Sequence, residues 1–464
     1  MKKLLLFVGL AAGPGASVAW AQAPALATFP VGTATVTVSE LAPGLATIWE
    51  LAWGPDNFIW ATERAGRISR INPATGAVLP LLTIADVTQN NESGLLGMVL
   101  HPDFAAQPYA YVVYNYTEQG VLKEKLVRFI YTAAAGTLGA PQVLLDGIVA
   151  TTNHSGSRLL ILPDRTLLMT TGDALQVSEA QNRASLNGKI LRLNLDGSVP
   201  ADNPTPGSYV YTLGHRNPQG LVQLADGRLY SSEHGLSNDD EINKIEVGRN
   251  YGWPIVEGLC NLPAEATFCT ANNVRAPLTT WTPTIAPAAL KYYDHPAIPG
   301  WRGSLLVTAL GGRRLVQMPL DATGTTITAR NEFLTDFGRL RSLCVSPDGR
   351  VYVGTSNRDG RGTPAATDDR ILVLENRAYM PTANRNAAAV KFDIFPNPAR
   401  QQVSLTLPAS GAHVTICDLL GRRLREQSVS GPTATLDLAG LPAGRYLVAV
   451  ATAAGTATKP LSVE

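Results

Sequence analysis

A lone histidine, an aspartate and an arginine–asparagine pair fall in four short motifs between Thr152 and Asn217. The first is Asn153-His154-Ser155-Gly156-Ser157-Arg158-Leu159 and the second Thr171-Gly172-Asp173. The third runs Leu186-Asn187-Gly188-Lys189-Ile190-Leu191-Arg192-Leu193-Asn194, and the fourth Gly214-His215-Arg216-Asn217-Pro218-Gln219-Gly220. Neutral imidazole is a competent base near pH 7, so His154 could take a proton from a substrate hydroxyl. Gly156, two residues on, permits a ligand to approach closely. Asp173 follows the strand-like run Leu167-Leu168-Met169-Thr170-Thr171, and on its own a Gly-Asp pair there reads as a turn. A guanidinium is a planar fork that suits carboxylates, which makes Arg216 a candidate anion binder. Arg339-Leu340-Arg341 would aim two more guanidiniums to one side of a strand, although an Arg-x-Arg alone reads as a solvated edge.

The elements that must position these residues show up as a weak repeat. Gly54-Pro55-Asp56 leads into Phe58-Ile59-Trp60-Ala61-Thr62, and the same turn and strand recur at Leu162-Pro163-Asp164, Leu224-Ala225-Asp226 and Ser346-Pro347-Asp348. His101-Pro102-Asp103 with Tyr109–Val113 is a looser copy. Proline fixes φ, Asp and Gly close the turn, and the Val, Tyr and Ile that follow favour the pleat. The aspartates stand at 56, 103, 164, 226 and 348, so the gaps are 47, 61, 62 and 122, the last about twice its predecessors. A decayed copy is expected near Asp294-His295-Pro296 and Ser304-Leu305-Leu306-Val307. Six such units predict an all-β fold, a six-bladed β-propeller, over residues 31–376.

Residues 377–391 lack periodicity and read as a linker. Beyond them Val403/Leu405/Leu407, Val414/Ile416, Leu436/Leu438 and Tyr446/Val448/Val450 alternate, predicting a small C-terminal β-sandwich, Ig-like, over 392–464. At the other end Lys2 and Lys3 precede an apolar run from Leu4 to Ala12, and Ala19-Trp20-Ala21 offers a small-x-small cleavage site. Residues 1–21 therefore read as a signal peptide, and no later segment is long and apolar enough to cross a membrane. Lysine plus arginine number 38 against 37 acidic residues, so no global field attracts nucleic acid. Cys260 and Cys269 lie close together in a loop rich in Asn, Pro and Thr, where an oxidising compartment would close a disulfide. Zinc is the alternative, but no further Cys or His pair at ligand spacing lies nearby. Cys344 and Cys417 fall in alternating patterns and read as buried free thiols.

The four motifs, followed in order by Ser232-Glu233-His234-Gly235 and Asp239-Asp240-Glu241-Ile242-Asn243, resemble the soluble glucose/sorbosone dehydrogenases, which oxidise sugars with the quinone cofactor PQQ. The likeness covers roughly residues 40 to 376 and itself implies six blades. It implies that His154 is the base, that Asp173 orients it, and that Arg216 with Asn217 lies by the quinone oxygens. It places Arg339 and Arg341 as a second arginine pair for the cofactor. Calcium is implied twice. Backbone carbonyls at Gly235 and Leu236 would hold one ion against the quinone, and Glu241 and Tyr251 match the positions of a second, structural one. The usual lysine of the fifth-blade strand is missing, because Ala309-Leu310 runs into Gly311-Gly312-Arg313-Arg314; Arg313 is the candidate replacement, because strand alternation would return it to the face of Gly311. Glu92 stands where the glucose enzymes have glutamine and Asn153 where they have aspartate, so both are expected to contact substrate while the glucose label does not transfer.

Phe395-Pro396-Asn397-Pro398, Asp418-Leu419-Leu420-Gly421-Arg422, Leu441-Pro442-Ala443-Gly444-Arg445-Tyr446 and Thr458-Lys459-Pro460-Leu461-Ser462-Val463 resemble the type A sorting domain of the type IX secretion system. Pro460 stands where that motif usually has a second lysine. The expectation is a secreted or cell-surface PQQ- and calcium-dependent aldose dehydrogenase that makes lactones. Its partners would be a small-molecule aldose, an electron acceptor and the secretion machinery. The competing readings are a non-catalytic propeller that binds glycans and a calcium-dependent lactonase-like hydrolase.

Overall fold

A computed structural model describes residues 23–379, 392–407, 412–418, 423–452 and 455–464. The expected signal peptide, most of the linker and Leu419–Arg422 of the sorting motif lie outside the described residues. The chain divides into two compact units after Tyr379.

The larger unit is built of antiparallel sheets laid down in chain order. The first sheet holds Ile48–Trp53, Ile59–Glu63, Arg67–Ile71 and Val78–Thr83. Four-stranded sheets of the same order follow, beginning with Leu95–Leu100, Gly156–Ile161, Pro218–Gln223 and Pro287–Tyr293. The sixth begins with Leu340–Val345, and its outer strands come from the chain start: Ala34–Ala42 pairs with Ile371–Glu375, and Ala25–Val31 pairs with Ala34–Ala42. The first strand of each sheet packs on the first strand of the next, and Leu340–Val345 packs back on Ile48–Trp53. The ring is thus closed by a sheet that mixes both ends of the unit.

Each sheet is apolar on both faces because each is sandwiched. Trp60 and Ile68 of the first sheet share a core with Met98 and Val112 of the second. Val113 and Leu126 meet Leu159 and Met169, and Ile190 meets Leu221. Tyr230 meets Val307, Leu306 meets Leu343, and Tyr352 meets Ile48 and Leu51, which completes the circuit. Burying a side chain of this size contributes roughly 1.5–3 kcal/mol, so the stacking of sheets dominates the unit's stability.

The repeated turn joins the first strand of a sheet to its second. Asp56, Asp164 and Asp226 each accept a hydrogen bond from the backbone N–H two residues on, at 3.2, 2.9 and 3.1 Å, the local bond that makes aspartate a turn residue. In the fifth sheet the imidazole of His295 does this, accepting from Ala297 N–H at 3.1 Å, and in the second sheet His101 accepts from Asp103. The fifth copy is degenerate in sequence because a different side chain supplies the same acceptor and because the connection to Ser304–Ala309 is longer.

In the smaller unit a three-stranded and a four-stranded antiparallel sheet share one core. Val403, Leu405 and Leu436 come from the first sheet and Val414, Ile416, Val448 and Val450 from the second. Among the described residues no helix is long and apolar enough to cross a membrane. The Cys260–Cys269 disulfide is closed, with a Cα–Cα separation of 6.4 Å. Its segment is not the irregular loop expected: Pro263–Ala271 forms a short helix, started by Pro263 and by the Glu265 carboxylate accepting the Leu262 N–H. Cys344 is buried, whereas Cys417 is only half-buried.

Candidate active site

Within an antiparallel pair, the start of one strand and the end of the next lie side by side. The turns described above occupy one end of every sheet, so the starts of first strands and the ends of second strands gather at the other. Glu92, His154, Arg216, Asn217 and Arg339 immediately precede first strands. Arg64, Asp173, His234 and Asp359 follow second strands. Ring closure then brings these side chains from different sheets to one end of the channel.

His154 Nδ1 lies 2.8 Å from Asp173 Oδ1. A carboxylate only accepts, so the proton sits on Nδ1 and Nε2 keeps its lone pair free. Asp173 is fully buried and is itself fixed by Trp253 Nε1 at 2.9 Å and Leu175 N–H at 2.9 Å. The backbone is shaped for this contact. His154 has φ of 59° and Gly156 of 67°. A Cβ on Gly172 would sit 1.8 Å from the His154 carbonyl oxygen, so only glycine lets the two loops meet.

Arg216 packs 5.3 Å from the Trp253 ring and donates to the His234 carbonyl at 3.3 Å, while its Nε has no partner. Asn217 accepts the Gly156 N–H at 3.1 Å, tying it to the histidine loop. Burial lowers the Arg216 pKa, so an anion nearby would be welcomed. Glu92 accepts the His154 N–H at 3.3 Å and pairs with Arg361 at 3.0 Å. Burial opposes its charge, but the Arg361 guanidinium, that N–H and the Arg341 guanidinium outweigh burial and hold it below the usual carboxylate range. Asn153 accepts from Asn91 at 2.5 Å on the same rim.

A cleft of about 350 Å³ beside this group is lined by Arg64, Glu92, Gln219, His234, Arg339, Arg341, Asp359 and Arg361, among others. Arg339 donates to Asp359 at 2.7 Å and Arg341 to Gln219 at 3.0 Å. Burial pushes Arg341 down to about 10, and Arg64, whose Nε lacks a partner, is lowered for the same reason. Buried guanidiniums outnumber the carboxylates that face them, as a polyanionic ligand requires. His234 is pushed down to about 3 by burial and by Arg216 and Arg341, so its imidazole is neutral, and its Nε2 is buried without a partner.

An adjoining cleft of about 260 Å³ is lined by Arg216, Glu233, Gly235, Glu241, Tyr251 and Trp253. Burial and then the Glu233 charge raise Glu241 well above the carboxylate range, so a proton or a cation must neutralise it. The Tyr251 hydroxyl is already engaged with the Lys244 carbonyl and the Glu246 N–H, both at 2.9 Å. Leu236 is exposed at the mouth, and Gly235 N–H is held by Asp240 at 2.8 Å. Among the described residues no cluster of three or more His, Cys, Asp or Glu is placed to hold a metal, so a cation here would need backbone carbonyls or a ligand's own oxygens in addition to any single carboxylate.

The structure therefore gathers His154, Asp173, Arg216, Asn217, Glu92 and Asn153, with Arg339 and Arg341 in the neighbouring cleft. Arg313 is different. The expectation placed Gly311 and Arg313 on one face of a strand, but residues 310–313 form the turn between Ser304–Ala309 and Arg314–Pro319, and Arg313 is exposed there with φ of 52°. Alternation does not operate in a turn. Sequence reasoning also passed over Arg64, Gln219, Trp253, Asp359 and Arg361. The available signal was positional: Arg64 directly follows a repeat strand, as His234 does.

Residues 45–372 match the family described as Glucose / Sorbosone dehydrogenase, and residues 393–464 match the Secretion system C-terminal sorting domain. The chain is 34% identical to Quinoprotein glucose dehydrogenase B of Acinetobacter calcoaceticus over 70% of its own length and 86% of that protein. It is 30% identical to Aldose sugar dehydrogenase YliI of Escherichia coli over 70% of this chain and 92% of that one. In structure it is similar to the PQQ-bound form of Aldose Sugar Dehydrogenase from Streptomyces coelicolor, with a TM-score of 0.65, 35% identity, and coverage of 74% of this chain and 98% of that chain.

Proposed function

The chain belongs to the glucose/sorbosone dehydrogenase family, and from that membership we propose an exported, PQQ- and calcium-dependent oxidoreductase that converts aldoses to lactones at the anomeric carbon. The observation that carries the reading is the His154–Asp173–Trp253 relay standing beside a cleft rich in buried, incompletely paired arginines. Six sheets in a closed ring support a six-bladed propeller as its scaffold.

PQQ carries three carboxylates, and the groups present fit it: the guanidiniums of Arg64, Arg339 and Arg341 in the first cleft, and the Arg216 guanidinium with the neutral Asn217 amide beside the histidine. When bound, the cofactor supplies an ortho-quinone that accepts hydride, and calcium supplies the charge that polarises it. Calcium has two candidate positions, at the Gly235–Leu236 backbone and at Glu241 with Tyr251. At the second, the uncompensated Glu241 carboxyl is the feature that fits a cation.

The residues of the chain do the proton work. His154 Nε2 takes the C1 hydroxyl proton, and Asp173 holds the ring with that lone pair outward and stabilises the imidazolium. Trp253 and Leu175 keep Asp173 from turning away. Arg216 would stabilise the negative charge that develops on the cofactor oxygens. Glu92 and Asn153, on the rim next to the base, can accept and donate to sugar hydroxyls and so align C1. The smaller unit directs the protein through the type IX secretion system to the surface or the medium.

Loading the protein with PQQ and calcium and offering a panel of aldoses with an artificial electron acceptor tests the reading. Dye reduction by at least one aldose, dependent on both additions, is expected. Tight PQQ binding with no aldose-dependent reduction would overturn it and favour a non-catalytic, glycan-binding propeller.

A further inference from the structure

A fully buried carboxyl stands behind the histidine loop, away from either cleft. Glu124 lies on Val121–Thr132, the third strand of the second sheet, across from Asn115 on one side and Ile148 on the other. Its Oε2 accepts Ser157 Oγ at 3.0 Å and Asn115 Nδ2 at 3.4 Å, and Asn115 Nδ2 reaches Ser155 Oγ at 3.2 Å. Its Oε1 is buried with no partner. No cation meets it. Ser155 and Ser157 flank Gly156, and His154, Gly156 and Ser157 have φ of 59°, 67° and 70°. Two of those three are not glycine, and such a backbone persists at non-glycine residues only where its surroundings impose it.

We propose that Glu124 is a positioning residue for the base: one buried carboxyl, bonded to Ser157 and linked through Asn115 to Ser155, holds the left-handed backbone of His154, Gly156 and Ser157 and so fixes where the His154 imidazole points. The inference rests on His154 being the base. Asp173 fixes the ring from the front, and Glu124 fixes the loop from behind. The groups facing the carboxyl are Asn115 from the adjacent strand and Ser155 and Ser157 from the loop, none of them charged. Burial pushes the carboxyl up to about 8, so it is protonated and uncharged at neutral pH. Because its pKa is raised on folding, its contribution to stability is complete below the ordinary carboxylate range and is lost as pH rises through about 8. Ionisation would place an unpaired charge behind the loop.

The test uses the PQQ- and calcium-loaded enzyme and two variants. In Glu124→Gln the amide oxygen can take the place of Oε2 and keep both bonds without titrating. Its kcat should stay within about twofold of the wild type at pH 7, and the loss of kcat that the wild type shows between about pH 7.5 and 9 should shrink. Glu124→Ala removes the acceptor, and kcat should fall at least about tenfold with KM and PQQ affinity within about threefold. Melting temperature should decline between about pH 5 and pH 8 less steeply in Glu124→Gln than in the wild type, and the two should run parallel above that range. A Glu124→Gln pH profile that superimposes on the wild type overturns the proposal even if Glu124→Ala does not fold. Normal kcat in folded Glu124→Ala overturns it as well. Failure of the underlying reading is a separate result: His154→Gln would then keep its turnover.

Discussion

Asp173→Asn isolates the charge behind the base while keeping its shape. Asp173 Oδ1 faces two donors, His154 Nδ1 at 2.8 Å and Leu175 N–H at 2.9 Å, and Oδ2 faces one, Trp253 Nε1 at 2.9 Å. Asparagine has one acceptor oxygen, which keeps the most bonds in the Oδ1 position. The His154 tautomer is then preserved, but the new NH₂ confronts the indole N–H. Leaving these two buried donors face to face costs about 1–3 kcal/mol of folding stability. The His154 bond becomes neutral rather than charge-assisted. The imidazolium formed on proton abstraction loses roughly 1.5–3 kcal/mol of stabilisation, a fall of about 10- to 150-fold in kcat. The reverse amide orientation would invert the tautomer and cost more. Rapid-mixing measurement of cofactor reduction by an aldose, at saturating PQQ and calcium, reads the chemical step directly, and calorimetry confirms that PQQ affinity is unchanged. A reduction rate within twofold of the wild type would refute the assignment of Asp173 as the group that orients and charges the base.

His154→Gln should fold, bind PQQ and lose turnover about 10²- to 10⁴-fold in the same assay. Arg341→Ala should weaken PQQ binding about 10- to 150-fold by calorimetry, from the loss of a charge-assisted bond of ~1.5–3 kcal/mol, whereas Arg313→Ala should leave it within about twofold. Calcium should raise the melting temperature more at pH 8 than at pH 6, because the ion must displace the proton that burial and Glu233 hold on Glu241; an equal shift at both would place the cation elsewhere. A chain ending at Tyr379 should remain folded and active by circular dichroism and dye reduction yet stay inside its native host, because the smaller unit has a core of its own.

The architecture was largely legible because two periodicities coincide in the chain. Alternation marks strands, and a proline-aspartate turn marks where a first strand gives way to a second. The turn is a local structure whose hydrogen bond closes within three residues, so its signature survives in sequence wherever aspartate is the acceptor. Where histidine takes over, at His101 and His295, the pattern weakened although the geometry did not. The closing sheet was harder to read. Ala34–Ala42 joins Ile371–Glu375 across the whole unit, a pairing that no local signal encodes.

The site divides along the same line. His154, Asp173 and Arg216 were legible from motifs because each is set by a short loop whose glycines are dictated by close backbone approach, as at Gly172. Asp359 and Arg361 were not, because they depend on which sheets the ring makes adjacent, and Arg64 was marked only by its place directly after a repeat strand. Arg313 shows the converse error. A period of two was carried past the end of Ser304–Ala309 into a four-residue turn, where side-chain direction follows turn geometry instead of the pleat. Arg64 lies buried in the cleft with an unpaired Nε and shares Asp359 with the Arg339–Arg341 pair, which makes it the candidate to test for the cation missing at Gly311.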